Sequence, residues 1–234
     1  MVIFSFILIL ISAVIPGIVW LIFFLKEDIN PEPKRMLMKV FGIGAIVTFP
    51  VIALQVIFQG VFNYLAIPAI FLVLFFSFSE EFFKFFGAWL GVSDSKYFDE
   101  PIDAMIYMIV AAVGFATVEN FLVLLNLLSV SGSLYVSSIA DVLILRFVGA
   151  TFLHIISSGI VGFYWSRHKT EKNKKLIIWG IFSATLIHVF FNVLVVVFEK
   201  IDYLIYPSLF LIFMSAFVFN DFDKLKRKSI IIKK

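Results

Sequence analysis

The chain has 234 residues, of which 62% are hydrophobic and 15% charged, and its mean hydropathy is +1.07. Soluble domains are about half apolar and about one quarter charged, so this composition excludes an ordinary soluble enzyme. The chain contains no cysteine, which excludes disulfides, thiol nucleophiles and thiolate metal sites. The net charge of +3 is modest and gives no indication of nucleic-acid binding.

Apolar runs of membrane-spanning length fill nearly the whole sequence. Because about 20 apolar residues cross a bilayer core as a helix, we predict an all-α transmembrane bundle with one integral-membrane domain over 1–219. A basic cytoplasmic tail follows over 220–234. The seven predicted spans are 3–25, 37–58, 62–91, 101–128, 138–165, 174–198 and 203–219.

The basic residues predict the orientation of these spans. Those of the loop KEDINPEPKR, of the loop SRHKTEKNKK and of the tail all fall on one side, and only Lys200 falls clearly on the other. The side richer in Lys and Arg is normally cytoplasmic. We therefore predict an N-terminus outside, a C-terminus inside and a multi-pass protein of the cell membrane.

Ionisable residues interrupt the apolar runs. Glu80 and Glu81 are adjacent within VFNYLAIPAIFLVLFFSFSEEFFKFFGAWLGV, which covers 61–92. An ionisable group in hydrocarbon is so unfavourable that it persists mainly where it is paired or functional. Four more such residues interrupt later runs: Glu119, Arg146, His154 and His188.

Estimated depth predicts that these side chains meet. At about 1.5 Å of rise per residue, two layers emerge, counted from the cytoplasmic ends of the spans. The layer at roughly 16–21 Å contains Glu80, His154 and His188, and the layer at roughly 27–29 Å contains Glu119, Asn192 and Arg146. We expect them to line one cavity between spans three to six, with Arg146 in contact with Glu119.

Other interpretations of single residues stay open at this point. The third run is long enough to end near Phe78, which would leave Glu80, Glu81 and Lys84 at the level of the lipid headgroups as ordinary interfacial charges. Within the span, Lys84 is expected to pair with Glu80, its i, i+4 neighbour, or with Glu81. A lone histidine in a span can be a hydrogen-bonded packing residue. His168 lies in a basic loop and is expected to be solvated surface.

The residue types fit hydrolysis by either of two routes. Two histidines, carboxylates and an asparagine suit zinc or another divalent metal, whose bound water loses a proton near neutral pH to a nearby carboxylate. Two adjacent carboxylates can also divide acid and base roles without a metal, because repulsion separates their pKa values. The sequence contains no Gly-rich phosphate loop, G-x-S-x-G or H-E-x-x-H motif.

Four segments resemble the motifs of PrsW-type intramembrane proteases, in order over about residues 20–195. They are Glu80-Glu81-Phe-Phe-Lys84, Asp103 with Gly114-Phe115-Ala116-Thr-Val-Glu119-Asn120, Arg146 with Gly149-Ala150 and His154, and His188-Val-Phe-Phe-Asn192. The wider group includes the CAAX prenyl proteases and bacterial immunity-type membrane proteases, which carry E-E-x-x-x-R and Phe-x-x-x-His. Here Lys84 comes one residue earlier, and Glu119 replaces the histidine.

The resemblance implies cleavage of a membrane-anchored, single-span protein, such as an anti-sigma-factor-like regulator, in the bacterial cytoplasmic membrane. With the residue chemistry, it gives catalytic residues Glu80, Glu81, His154 and His188. The supporting residues are Glu119, Asn120, Asn192, Arg146 and Lys84, and the metal ligands considered are His154, His188 and Glu119. We expect the bilayer and the substrate as partners and no nucleic acid, and the sequence does not give the oligomeric state. A transporter or proton relay and a non-catalytic scaffold for other spans are the alternatives.

Overall fold

A computed structural model describes residues 2–131, 142–198 and 205–232, and the described residues form helices without any β-strand. The helices are α1 Val2–Leu25, α2 Lys34–Tyr64, α3 Ala69–Val92, α4 Asp103–Ser131, α5 Thr151–Glu171, α6 Lys175–Val197 and α7 Ile205–Ile232. The predicted all-α membrane bundle is therefore confirmed.

Six helical segments are long and apolar enough to cross a membrane, and α3 is the helix of the described chain that is not among them. Helix α3 is not apolar enough because three charged residues, Glu80, Glu81 and Lys84, lie within its 24 residues. The count of seven spans and the orientation stay predictions. Lys200, the basic residue expected on the outer side, lies outside the described residues.

Helix α4 is the centre of the bundle. Residues 101–116 are all buried, and α4 packs against α1, α2, α3 and α5. Small residues let membrane helices approach closely, and α2 and α4 are in close contact at two glycines, one on each helix. A Cβ on Gly44 would lie 2.1 Å from the carbonyl oxygen of Ala111, and a Cβ on Gly114 would lie 2.1 Å from that of Phe41. This contact fixes α2, and hence α3 beside it, against the central helix.

The break between the second and third helices lies later than the sequence suggested. The predicted spans ended at 58 and resumed at 62, whereas α2 continues to Tyr64 and α3 begins at Ala69. Pro68 explains the position, since proline lacks an N–H donor and disfavours the helical conformation in the residue before it. Ala66 completes the turn with a φ of 51°.

The charged segment SRHKTEKNKK is mostly helical rather than a loop. Helix α5 continues to Glu171 and ends where Lys172 adopts a φ of 56°, three residues before α6 begins. Arg167 and Glu171 form an i, i+4 ion pair at 2.8 Å, and basic residues in a last turn favour a helix end. His168 is therefore half-buried in the last turn of α5, not a solvated loop residue.

Candidate functional site

Glu81 and Lys84 form a fully buried ion pair on α3. The Lys84 ammonium donates to Oε1 of Glu81 at 2.6 Å, and both side chains are 0% exposed. The same oxygen accepts a hydrogen bond from Oγ of Ser157 at 2.9 Å and lies 2.8 Å from Nδ1 of His188. One carboxylate oxygen thus connects α3 to α5 and α6.

The contact with Glu81 decides which nitrogen of His188 is available. A carboxylate only accepts hydrogen bonds, so Nδ1 of His188 carries the proton and donates it to Glu81. The lone pair of Nε2 is then free, and this atom lies 3.5 Å from Oε2 of Glu80. Histidines that bind metals are commonly held by a carboxylate in this way.

Glu80 has surroundings quite different from those of Glu81. Neighbouring residues on an α-helix point about 100° apart, and Glu80 accepts a hydrogen bond from Nε2 of Gln55 on α2 at 2.8 Å. Its side chain is 10% exposed, compared with 0% for Glu81. Glu80 therefore retains the acceptor capacity that a water molecule or a substrate would need.

His154 connects the two ends of the cluster. Because an ammonium only donates, Nδ1 of His154 accepts from Lys84 at 3.0 Å, and Nε2 carries the proton towards Oε2 of Glu119 at 2.7 Å. The same oxygen of Glu119 accepts from Nη2 of Arg146 at 3.0 Å. The predicted contact between Arg146 and Glu119 is therefore present, and it belongs to one continuous polar chain.

A π-helical turn over Arg146–Ala150 positions Arg146. Such turns are rare and occur frequently at functional sites. Trp20 of α1 donates from Nε1 to the carbonyl oxygen of Phe147 at 2.9 Å, and the two rings stack with centroids 5.0 Å apart. Oδ1 of Asn120 on α4 accepts a hydrogen bond from Nε of Arg146. Helices α1 and α4 together hold the turn that directs Arg146 into the cluster.

Three side chains of the cluster could hold a metal ion. Glu80, His154 and His188 each offer one ligand atom, and these atoms lie within 4.8 Å of one another. Three protein ligands plus a water position are the usual catalytic zinc site. The buried Oε2 of Glu81 has no hydrogen-bond partner among the described residues, which also fits an ion or a water molecule here. Nε2 of His188 and the carboxylate of Glu80 are available to a divalent metal as they stand, and His154 would join them by releasing Lys84 or Glu119.

The structure brings the predicted residues together but changes some pairings. Glu119 lies outside the three-residue metal group and pairs with Arg146 and His154 instead. Lys84 was expected to pair with either carboxylate of α3, and it pairs with Glu81. The remaining predicted residue, Asn192, is half-buried and donates to Oγ of Ser77 at 3.4 Å.

Two residues of the cluster were missed by the sequence reasoning. Gln55 holds Glu80, and Ser157 holds Glu81. Gln55 interrupts an apolar span and could have been found by the same depth argument as the histidines. Ser157 gives no comparable signal, because small polar residues are common in transmembrane helices.

Comparison with known proteins decides the family. The model of the PrsW family intramembrane metalloproteases matches residues 32–219. The chain belongs to this family. Protease PrsW of Geobacillus kaustophilus is 32% identical over 178 residues, covering 74% of this chain and 73% of the relative. Protease PrsW of Oceanobacillus iheyensis is 27% identical over 212 residues, covering 89% and 92%, and that of Bacillus subtilis is 28% identical over 171 residues. No solved structure matches the chain significantly.

Membership of the PrsW family agrees with a membrane-embedded protease and favours this reading over a transporter or a scaffold. The matched range contains every residue of the cluster, from Gln55 to His188, as well as Asn192. The family description also implies a metal, in agreement with the donor set formed by Glu80, His154 and His188.

Proposed function

We propose that the chain is an intramembrane endopeptidase in which Glu80 takes the proton from the attacking water. The supporting observation is the unequal engagement of the two adjacent carboxylates. Oε1 of Glu81 interacts with three donors, whereas Glu80 accepts one hydrogen bond, from Gln55. A general base needs an accessible lone pair within hydrogen-bond reach of the proton that it removes. Oε2 of Glu81 also lacks a partner, but that side chain is 0% exposed and Glu80 is 10% exposed, so Glu80 meets this condition better.

The other residues hold the reacting groups in position. Glu81 keeps the proton of His188 on Nδ1, and Lys84 keeps the proton of His154 on Nε2, directed at Glu119. The metal implied by the family would be held by Nε2 of His188, by His154 after it releases its hydrogen bond to Lys84 or to Glu119, and by a carboxylate oxygen. When bound, it would supply a water molecule acidified to near neutral pH. Zinc fits the mixture of nitrogen and oxygen donors.

The proposed substrate is a single-span membrane protein of the anti-sigma-factor type, cleaved in the bacterial cytoplasmic membrane. The substrate class follows from the resemblance to PrsW-type proteases described above. The location is supported by the six apolar helices and by the relatives in Bacillus-type organisms.

Cleavage of such a protein in detergent by histidine variants tests the proposal. His154→Ala and His188→Ala should each reduce turnover at least about 10²-fold, as expected for acid–base or metal roles. His168→Ala is the matched control, since this third histidine lies in the last turn of α5, away from the cluster. Equal losses in all three variants would contradict the proposed site.

Elemental analysis of the purified active protein tests the metal. We expect one divalent ion per chain, loss of activity on chelation and recovery with added zinc. His188→Ala should lose the ion, because the free Nε2 of this residue is the best available ligand. Full activity of metal-free protein would contradict the metal and favour the route in which two carboxylates act without one.

A further inference from the structure

We propose that a groove between α3 and α6 binds the transmembrane helix of the substrate and presents it to the cluster. The groove has a volume of about 660 Å³ and is bordered by Phe62 near the end of α2. This inference rests on the proposed function, because it names the surface through which a membrane-anchored substrate reaches Glu80. The groove is a separate feature from the polar cluster, since none of its lining residues is charged.

The groove has the shape of a helix-binding surface. Its α3 wall consists of Phe71, Leu74, Phe75, Phe78 and Phe82, and residues three or four positions apart share one face of a helix. The first and the last of these are eleven positions apart, which corresponds to about 16 Å of helix at 1.5 Å per residue. A wall of this length suits a helical segment lying along it better than a single side chain.

The groove is continuous with the cluster along the seam of the two helices. Thr185 lines the groove and lies three residues before His188 on α6, while Phe78 lines it three residues before Glu81 on α3. The contact of 2.8 Å between Glu81 and His188 crosses this seam. A segment lying in the groove is therefore separated from the cluster only by the line along which α3 and α6 meet.

Helices of the bundle occupy the sides of the cluster that face α2, α4 and α5. Gln55 approaches from α2, Glu119 from α4 and His154 from α5, and each makes a hydrogen bond within the cluster. A substrate that arrives from the bilayer through these sides would have to separate helices that pack around the central α4. The α3–α6 seam is the side where an open apolar surface adjoins Glu81 and His188. A second cavity, of about 440 Å³, reaches Arg146 and Asn192 at the other end of the cluster, farther along the polar chain from Glu80.

The lining chemistry fits an apolar helix rather than a polar peptide. Phe71 is 55% exposed, Phe78 46% and Phe182 49%, and the hydroxyl of Thr185 already donates to the carbonyl oxygen of Ile181 at 2.8 Å. Where the lining offers no hydrogen-bond partners, the backbone N–H and C=O groups of a bound segment must hydrogen-bond to each other, as they do in a helix. Because lipid tails are as apolar as leucine, selectivity must come from close packing against these rigid rings.

Photocrosslinking tests the groove without requiring cleavage. The Glu80→Gln protein would carry benzoylphenylalanine at Phe71, Phe78 or Phe182, with Phe213 as the matched control because it is a 63% exposed phenylalanine on α7. The probe is a tagged single-span protein of the anti-sigma-factor type, mixed with the protein in lipid nanodiscs. We expect protein adducts at the three groove positions and none above background at Phe213. Equal labelling at Phe213, or adducts with lipid alone at all positions, would overturn the assignment.

A kinetic experiment separates the groove from the chemistry. Leu74→Trp narrows the groove and should raise KM for the single-span protein about tenfold while leaving kcat unchanged, and a short soluble peptide with the same cleavage sequence should be unaffected. Unchanged KM in Leu74→Trp would contradict the groove even if Glu80 proves essential. Conversely, an active Glu80→Gln protein that still crosslinks through the groove would refute the proposed base and leave the docking surface standing.

Discussion

Replacing Glu80 or Glu81 singly with glutamine should have different effects: Glu81→Gln should mainly lower stability, and Glu80→Gln should mainly lower turnover. Glu81→Gln removes the counter-charge of Lys84, whose side chain is 0% exposed, and removing one partner of a buried ion pair destabilises a protein by about 3–5 kcal/mol. Glu80→Gln removes no such pair, and its amide oxygen can still accept from Gln55. A single retained or weakened hydrogen bond changes stability by about 1 kcal/mol or less.

These magnitudes predict a clear difference in thermal unfolding. For a chain of this length, about 1 kcal/mol corresponds to about 2–4 °C in Tm. Glu81→Gln should therefore lower the midpoint by about 6–20 °C, and Glu80→Gln by less than about 4 °C. Unfolding can be followed in detergent by the fluorescence of the four tryptophans. At a temperature where both variants are folded, Glu80→Gln should still lose at least about 10²-fold in turnover.

The double variant Glu81→Gln/Lys84→Met is the matched control for this reasoning. Because it removes both charges and keeps a side chain of similar volume at Lys84, most of the lost stability should return. Turnover should stay low, because the carboxylate that holds Nδ1 of His188 is absent. Equal midpoints for the two single variants, or full activity of Glu80→Gln, would refute the division of roles between Glu80 and Glu81.

Three further predictions concern the supports of the cluster and the loop before α2. Arg146→Gln should lower both turnover and Tm, because Glu119 loses its guanidinium partner; wild-type values for both would remove Arg146 from the site. Gly114→Ala should lower Tm by more than about 10 °C by forcing α2 from α4, whereas Gly42→Ala, with nothing within 4 Å of its Cβ, should leave Tm unchanged or slightly raised. Burial raises the pKa of Glu32 above its ordinary value, so the native state holds this proton more tightly than the unfolded chain, and stability should fall as pH rises through the raised pKa. Glu32→Gln should flatten that decline in Tm scans at pH values above the ordinary pKa of glutamate, and an unchanged slope would contradict the assignment.

The general position of the cluster could be predicted because a charged side chain in the hydrocarbon core of the bilayer is so unfavourable. Glu119, Arg146 and His154 were recognisable as isolated ionisable residues in apolar runs, and counting helical rise placed them at compatible depths. The contact between Arg146 and Glu119 followed from depth alone and is present at 3.0 Å. Helix bounds were harder, because Pro68 and the ion pair between Arg167 and Glu171 act over a few residues and shift the ends locally.

The different contacts of the neighbouring Glu80 and Glu81 could not be predicted from the sequence. Glu80 and Glu81 have the same side chain and nearly the same depth, so only their direction around α3 distinguishes them. That direction depends on which helices flank α3, and the flanking residues Gln55 and Ser157 come from α2 and α5. Spacing alone allowed Lys84 to pair with either carboxylate, and the packing of His154 against Lys84 selects Glu81.

Where the wider group of membrane proteases carries a histidine, this chain carries Glu119. The additional carboxylate leaves the cluster in need of a further positive charge. Glu80, Glu81 and Glu119 bring three carboxylates, and Lys84 and Arg146 bring two cations, so the formal charge is −1 when both histidines are neutral. A net charge enclosed in a bundle without bulk water is unfavourable unless it is compensated. A proton or a metal ion can supply the missing positive charge, and the ligand atoms within 4.8 Å of one another favour an ion. Without the guanidinium of Arg146, the formal charge of the cluster would be −2 instead of −1. Loss of Arg146 should therefore destabilise the whole cluster and not only the position of Glu119.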